Sequence, residues 1–340
     1  MTETLTMGES LVGQPDRLPT LESPDTRAAL NPQQIARVAG LIRTLPDVEP
    51  FAFVGPQFPP VGHPAALEYF FAATVQQFGF WEAEEGQYQR PMVALLDGAL
   101  RKGSDYLWRA YLRPLDRGPE FYAPEGQAQL TLPTMLALFR ADDGTDPLPA
   151  PDLHLQQAMA YGRDMLASGR SPQQVIAQAN TTEAPLQAFL EKLGSIGGYK
   201  EDPLQKKANL LALILSQRPE GFLRPAGDET VPPVIDYHVM RSCLRTGVID
   251  VLDADLERAL IERRELHPDD EWVIRRATHE AICQIATHSG RSMGAVDWFF
   301  FNARLRCPEM TEPECPLCPV DPVCLHRKSL FQPVRRTSFY

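Results

Sequence analysis

Apolar residues recur at helical spacing along most of this chain, in short segments separated by proline and glycine. Asn31 and Pro32 supply a cap and a first-turn proline, and Ile35, Val38, Ala39, Leu41 and Ile42 form one stripe behind them, which predicts a first helix. A loop marked by Pro46, Pro50, Pro56, Pro59 and Pro60 follows. Pro64 to Phe80 predicts a second, unusually aromatic helix, with Tyr69, Phe70, Phe71, Phe78 and Phe80 leading to Trp81. Aromatics at that density pack cores, and they also build base-stacking pockets. From Arg90 onward, short amphipathic helices alternate with Pro- or Gly-marked turns, and no alternating strand pattern stands out. The expected fold class is all-α. Residues 1–30, polar and aperiodic, read as a flexible arm. The PLPAP run at 147–151 suggests a boundary between a helical lobe over 31–150 and a second over 151–300, with 301–340 as a terminal loop and tail.

Between Leu193 and Arg245 the pattern changes character. The stretch LGSIGGYKEDPLQKKANLLALIL predicts a glycine-rich turn and then a helix opened by Lys206 and Lys207, with Leu210, Leu211, Ile214 and Leu215 on its buried face. Further on, VPPVIDYHVMRSCLR sets two prolines before Asp236, which lands at the start of the next helix. A carboxylate there is commonly a helix cap. An ionised carboxylate there can also stabilise a developing positive charge, and a nearby amine of lowered pKa can act as a nucleophile.

The chain has 340 residues, of which 44% are hydrophobic, enough to bury a large core. Met1 to Asp16 carries neither a basic region nor an apolar run of the kind a signal peptide has, and no stretch reaches the length of a membrane span. A cytoplasmic monomer with no membrane partner is expected. The net charge of −11 opposes broad phosphate binding. Against this, Arg241, Arg245, Arg275, Arg276, Arg291, Arg304 and Arg306 enrich the C-terminal third, and Arg327, Lys328, Arg335 and Arg336 follow in a tail without acids. A basic face on an acidic protein is one reading, and solvated surface charge is the other.

Cys307, Cys315, Cys318 and Cys324 form the pattern C-x7-C-x2-C-x5-C. A tetrathiolate site suits zinc or an iron–sulfur cluster, and a disulfide pair is a third alternative. The spacing favours a [4Fe–4S] cluster, since structural zinc sites usually show two short knuckles and this chain has one. Cys243 and Cys283 sit in helical, largely apolar surroundings and read as core residues.

The end of the chain, DWFFFNARLRCPEMTEPECPLCPVDPVC, resembles the C-terminal part of endonuclease III and the adenine glycosylases, in the helix-hairpin-helix superfamily of base-excision DNA glycosylases. There a tryptophan-bearing helix runs into a four-cysteine [4Fe–4S] loop. In that family a K-T-A-N helix carries the catalytic lysine and a V-D-T-H-x-x-R segment the catalytic aspartate. Lys206 in KKAN, and Asp236, His238 and Arg241 in IDYHVMR, match those positions. Two departures stand out: the first cysteine spacer is one residue longer, and the family's hairpin L-P-G-V-G is replaced by LGSIGGYKEDPL. The middle of the chain, through FYAPEGQAQLTLPTMLALFRADDGTDPLP and DYHV, is similar to the queuosine-salvage nucleotide glycosylases, which share the fold with the archaeal 8-oxoguanine glycosylases.

The resemblance implies a helix-hairpin-helix glycosylase-like, two-lobed helical fold, with its catalytic region in 151–300 and a cluster loop in 301–340. It implies an N-glycosylase that removes a modified or damaged base from DNA, a bulky phage-type base being one refinement, with Asp236 and Lys206 catalytic and strand cleavage available to Lys206. Tyr237, His238, Arg241, Trp81, Phe139 and Arg140 are the expected substrate-binding residues. The cluster loop is expected to hold the C-terminal lobe rather than to react, with the tail from His326 to Arg336 facing phosphate. A free modified nucleotide is the alternative substrate, and a catalytically silent DNA-binding module is the alternative from outside enzymology.

Overall fold

The computed structural model describes residues 26–84, 87–331 and 337–340. The described residues are mostly helical. In chain order they form β1 (Ala28–Leu30), α1 (Pro32–Thr44), α2 (Ala66–Val75), β2 (Trp81–Glu84), β3 (Gln87–Pro91), β4 (Val93–Leu96), β5 (Ala99–Lys102), α3 (Gly103–Tyr111), α4 (Pro124–Ala128) and α5 (Leu132–Phe139). Then come α6 (Pro151–Ser168), α7 (Pro172–Ala179), α8 (Pro185–Leu193), α9 (Lys206–Gln217), α10 (Tyr237–Thr246), β6 (Ile249–Val251), α11 (Ala254–Glu262), α12 (Pro268–Ser289) and α13 (Met293–Asn302). No helix among the described residues is long and apolar enough to cross a membrane.

Local chemistry sets several boundaries. Asn31 caps α1 by accepting from Gln34 N at 3.0 Å, as its position before Pro32 predicts. The aromatic segment is helical only over α2; Tyr69, Phe70 and Phe71 are fully buried there, and Phe78 stacks on His154 at 4.1 Å. Most of that aromatic density is therefore core. Helix α9 begins differently: Gln205 precedes it in the left-handed region and offers no side-chain cap. Asp202 supplies the cap instead, accepting from Lys206 N at 2.7 Å and Leu204 N at 3.0 Å.

Three expectations need correction. The absence of strands after Arg90 fails at β4 and β5, an antiparallel hairpin turning on Asp97-Gly98 with both φ angles positive. Asp-Gly is the pair that such a two-residue turn favours, and Asp142 reinforces it by accepting from both backbone N–H groups at 3.1 and 2.8 Å. The arm assigned to 1–30 ends sooner, because Ala28–Leu30 pairs with Ile249–Val251 as a two-stranded sheet; residues 1–25 lie outside the described residues. Finally, packing does not divide the chain at 147–151. Helix α1 packs on α12 and α2 packs on α9 and α6, so the first segment contributes to both halves of one continuous core.

Candidate functional site

Lys206 and Asp236, 30 positions apart in sequence, open onto one cavity. Its walls come from the proline-rich loop (Phe51, Phe53 and Phe58), from Trp108 on α3, and from Trp298 and Phe301 on α13. Phe51 and Trp298 stack face to face, centroids 4.2 Å apart and planes 10° apart. The lining is the apolar wall with few convergent polar groups that small-molecule sites share.

Asp236 is the N-cap of α10: its Oδ1 accepts from His238 N at 2.9 Å and Val239 N at 3.0 Å. The cap and the cavity-lining role coincide, since the carboxylate is 8% exposed and its second oxygen takes no hydrogen bond among the described residues. Asn209 braces the approach, its amide donating to Pro233 O at 3.2 Å and Leu204 O at 3.0 Å.

The two lysines separate cleanly. Lys206 Nζ lines the cavity and donates to Gln77 O at 2.7 Å; burial lowers its pKa to about 8, with Asp236 pulling it back up. Lys207 points away into the core, over the Phe78 ring and toward Val75 O at 3.2 Å, and burial takes it to about 7. What keeps α9 in place is a buried pair: Arg275 of α12 grips both oxygens of Asp202 at 2.8 and 2.6 Å, with both side chains almost fully buried.

Of the other predicted residues, Tyr237 and His238 line the cavity. Burial lowers the His238 pKa to about 4, against the pull of Glu309 and Asp236. Arg241 stands one layer behind, its Nη2 2.9 Å from His238 Nδ1. Trp81 is also behind the wall, its ring edge-on to Tyr237 at 6.4 Å. Phe139 and Arg140 are not at the cavity. Phe139 is fully buried against Tyr111, and exposed Arg140 pairs with Asp146 at 3.4 Å.

Three residues that sequence reasoning passed over belong here. Asp297 of α13 lines the cavity, accepts from Val234 N at 2.9 Å, and is 8% exposed. Its signal was a lone acid in an otherwise apolar run. Gln77 lines the cavity with its Nε2 buried and unpartnered, while Ser104 Oγ donates to its Oε1 at 2.7 Å. Glu309, in the acidic spacer after Cys307, is turned inward and 1% exposed. Its Oε1 lies 3.2 Å from His238 Nδ1 and 3.4 Å from Arg241 Nη1, and Oε2 meets Lys102 Nζ. No local pattern marks that contact.

The four cysteines of the terminal loop are free thiols around a second cavity of about 410 Å³. Among the described residues Cys315, Asp321 and His326 place three potential ligand atoms within 4.8 Å of one another, a group that could hold a metal ion. Arg245 Nη1 donates to Cys307 Sγ at 3.2 Å and His326 N to Cys324 Sγ at 3.3 Å, bonds of the kind that tune thiolate-held clusters.

The basic face foreseen in the C-terminal third is largely spent on internal pairs. Arg304 lies 3.5 Å from Asp105, Arg306 2.6 Å from Glu314, Arg327 2.5 Å from Asp250, and Lys328 2.5 Å from Glu312. Arg335 and Arg336 lie outside the described residues. No model of a known protein family matches this sequence, and no curated protein matches it.

Proposed function

We propose that this protein is an N-glycosylase that hydrolyses the base–sugar bond of a modified base in DNA. One observation carries the reading: the carboxylate of Asp236 and the amine of Lys206 share an aromatic-walled cavity, whereas the neighbouring Lys207 does not. As the bond breaks, positive charge grows on the sugar, and the Asp236 carboxylate, held by the first turn of α10, is preorganised to stabilise it. Burial leaves a usable fraction of Lys206 as free amine near neutral pH. That amine supports attack on the sugar carbon and Schiff-base chemistry. The stacked pair of Phe51 and Trp298 supports recognition of a flat base extruded from its stack.

Cys307, Cys315, Cys318 and Cys324 would hold a [4Fe–4S] cluster, which when bound supplies a rigid clamp for the terminal loop. The loop's Glu309 then fixes the inner nitrogen of His238, and Arg241 shares that contact.

A second reading, hydrolysis of a free modified nucleotide, is favoured by the pairing of Arg304, Arg306 and Arg327 with acidic side chains among the described residues. A panel of modified duplexes and free nucleotides, scored for released base at increasing salt, tests both. Duplex activity that falls steeply with salt supports the DNA enzyme, and salt-independent release from nucleotides alone supports the second reading. No release from either, by intact protein with its metal, refutes both.

A further inference from the structure

Asp297 is a further ionisable group on the cavity wall, and the reaction above gives it no task. We propose that Asp297 is the general acid that protonates the departing base, and that the enzyme is consequently built for neutral bases rather than for bases already carrying positive charge. This rests on the N-glycosylase reading.

The geometry places two carboxyl groups in unlike settings on one short stretch of backbone. Asp236 takes two backbone N–H bonds at the head of a helix, while Asp297 takes one, from Val234, two residues before Asp236. Val234 follows Pro232 and Pro233, so the peptide bridging the two acids is stiff. The second oxygen of Asp297 takes no hydrogen bond among the described residues, and the side chain lines the cavity. The groups that face this space are Lys206 from α9, Asp105 from α3, Tyr237 and His238 from α10, and Tyr340. Burial raises the Asp297 pKa to about 8, with Asp236 adding to the rise while the Val234 bond and Lys206 oppose it. A carboxyl group that keeps its proton in this way is equipped to donate it.

The step balances as follows. The C1′–N bond breaks and its electron pair goes to the base nitrogen, while the Asp297 O–H proton moves to a ring nitrogen or oxygen of the base, which leaves neutral. Asp236 faces the resulting sugar cation. Water then adds to C1′, and the proton it releases replaces the one Asp297 gave up. A base that is already cationic leaves without a proton and gains nothing from Asp297.

The test is single-turnover base release between pH 5 and 10 by the intact, metal-replete protein, on the duplex that the panel shows to be processed best. Wild-type release should fall as pH rises through about 8, where Asp297 loses its proton. Asp297→Asn keeps an acceptor for Val234; it should lower release at pH 7 by about a hundredfold or more and erase the alkaline limb. Lys206 titrates in the same range but in the opposite sense, because its free amine becomes a better nucleophile as pH rises, so it does not produce a falling limb. The fold check is independent of activity. Asp297 binds a proton in the folded state that the unfolded chain releases above about 4, so its own contribution to stability falls between about pH 4 and 8, and the stability of wild type relative to Asp297→Asn in urea unfolding should fall across that window. Survival of the alkaline limb in Asp297→Asn, or release within threefold of wild type, overturns the assignment while the glycosylase reading stands. A wild type that releases no base overturns the reading itself. Greater acceleration over the uncatalysed rate for cationic 7-methylguanine than for every neutral base tested overturns the neutral-base specificity.

Discussion

Replacing Asp202 by asparagine should be among the most damaging single-atom changes in this protein. Its two oxygens take both guanidinium nitrogens of Arg275, at 2.8 and 2.6 Å, and the backbone N–H groups of Leu204 and Lys206. All four bonds are buried. An amide keeps the shape, but one oxygen becomes an N–H₂ facing two donors, and Arg275 is left with only its longer contact to Glu271, at 3.9 Å. Removing one partner of a buried pair costs about 3 to 5 kcal/mol, and the exchange of an acceptor for a donor at the head of α9 adds to it. Tyr340 and Phe339, whose rings lie 4.9 and 5.7 Å from the guanidinium, cannot replace the lost charge. Urea unfolding at pH 7 should show the loss as a lower midpoint at unchanged slope. A double-mutant cycle isolates the pair: Arg275→Met and Asp202→Asn should each destabilise, and together they should cost less than their sum. A loss below about 1 kcal/mol for Asp202→Asn, or plain additivity, would refute the view that this pair anchors the lysine-bearing helix.

Three further outcomes are expected. Asp236→Asn should cut base release about a hundredfold or more with substrate affinity nearly intact, because it removes charge and keeps shape; near-wild-type single-turnover rates would reduce the residue to a cap. Borohydride should trap a covalent complex with substrate DNA in the wild type and in Lys207→Gln but not in Lys206→Gln; base release without any trapped species would make the enzyme monofunctional. Protein purified without oxygen should contain iron and acid-labile sulfide and absorb broadly in the visible, and Cys315→Ser should lose both; stoichiometric zinc without sulfide would point instead to a mononuclear site.

The sequence made the helical class readable because apolar stripes and proline starts are local signals, and α1 and α10 begin where their caps predict. The β4–β5 hairpin was equally local, through Asp97-Gly98, and escaped because its strands do not alternate cleanly. Resemblance singled out Lys206 and Asp236, and the cavity brings them together. Its aromatic wall was not readable, because Phe51, Trp108 and Trp298 meet across long sequence separations while the conspicuous run at Tyr69 to Phe71 went into the core. Phe139 and Arg140 failed for the same reason in reverse: a motif-like run carried them, and packing sent one inward and the other to the surface. Nothing in the sequence around Glu309 marks it as interior, and only its contact with His238 and Arg241 reveals that role.

Helix α10 touches both special regions, with Asp236 at its head and Arg245, near its tail, donating to Cys307 Sγ. Its 10 residues make a rod of about 15 Å, and each residue inserted would turn one end about 100° relative to the other. Length changes are therefore forbidden in this segment, although they are tolerable in the loops on either side. A displacement of the thiol ring that moves α10 is therefore carried along the helix to the cavity.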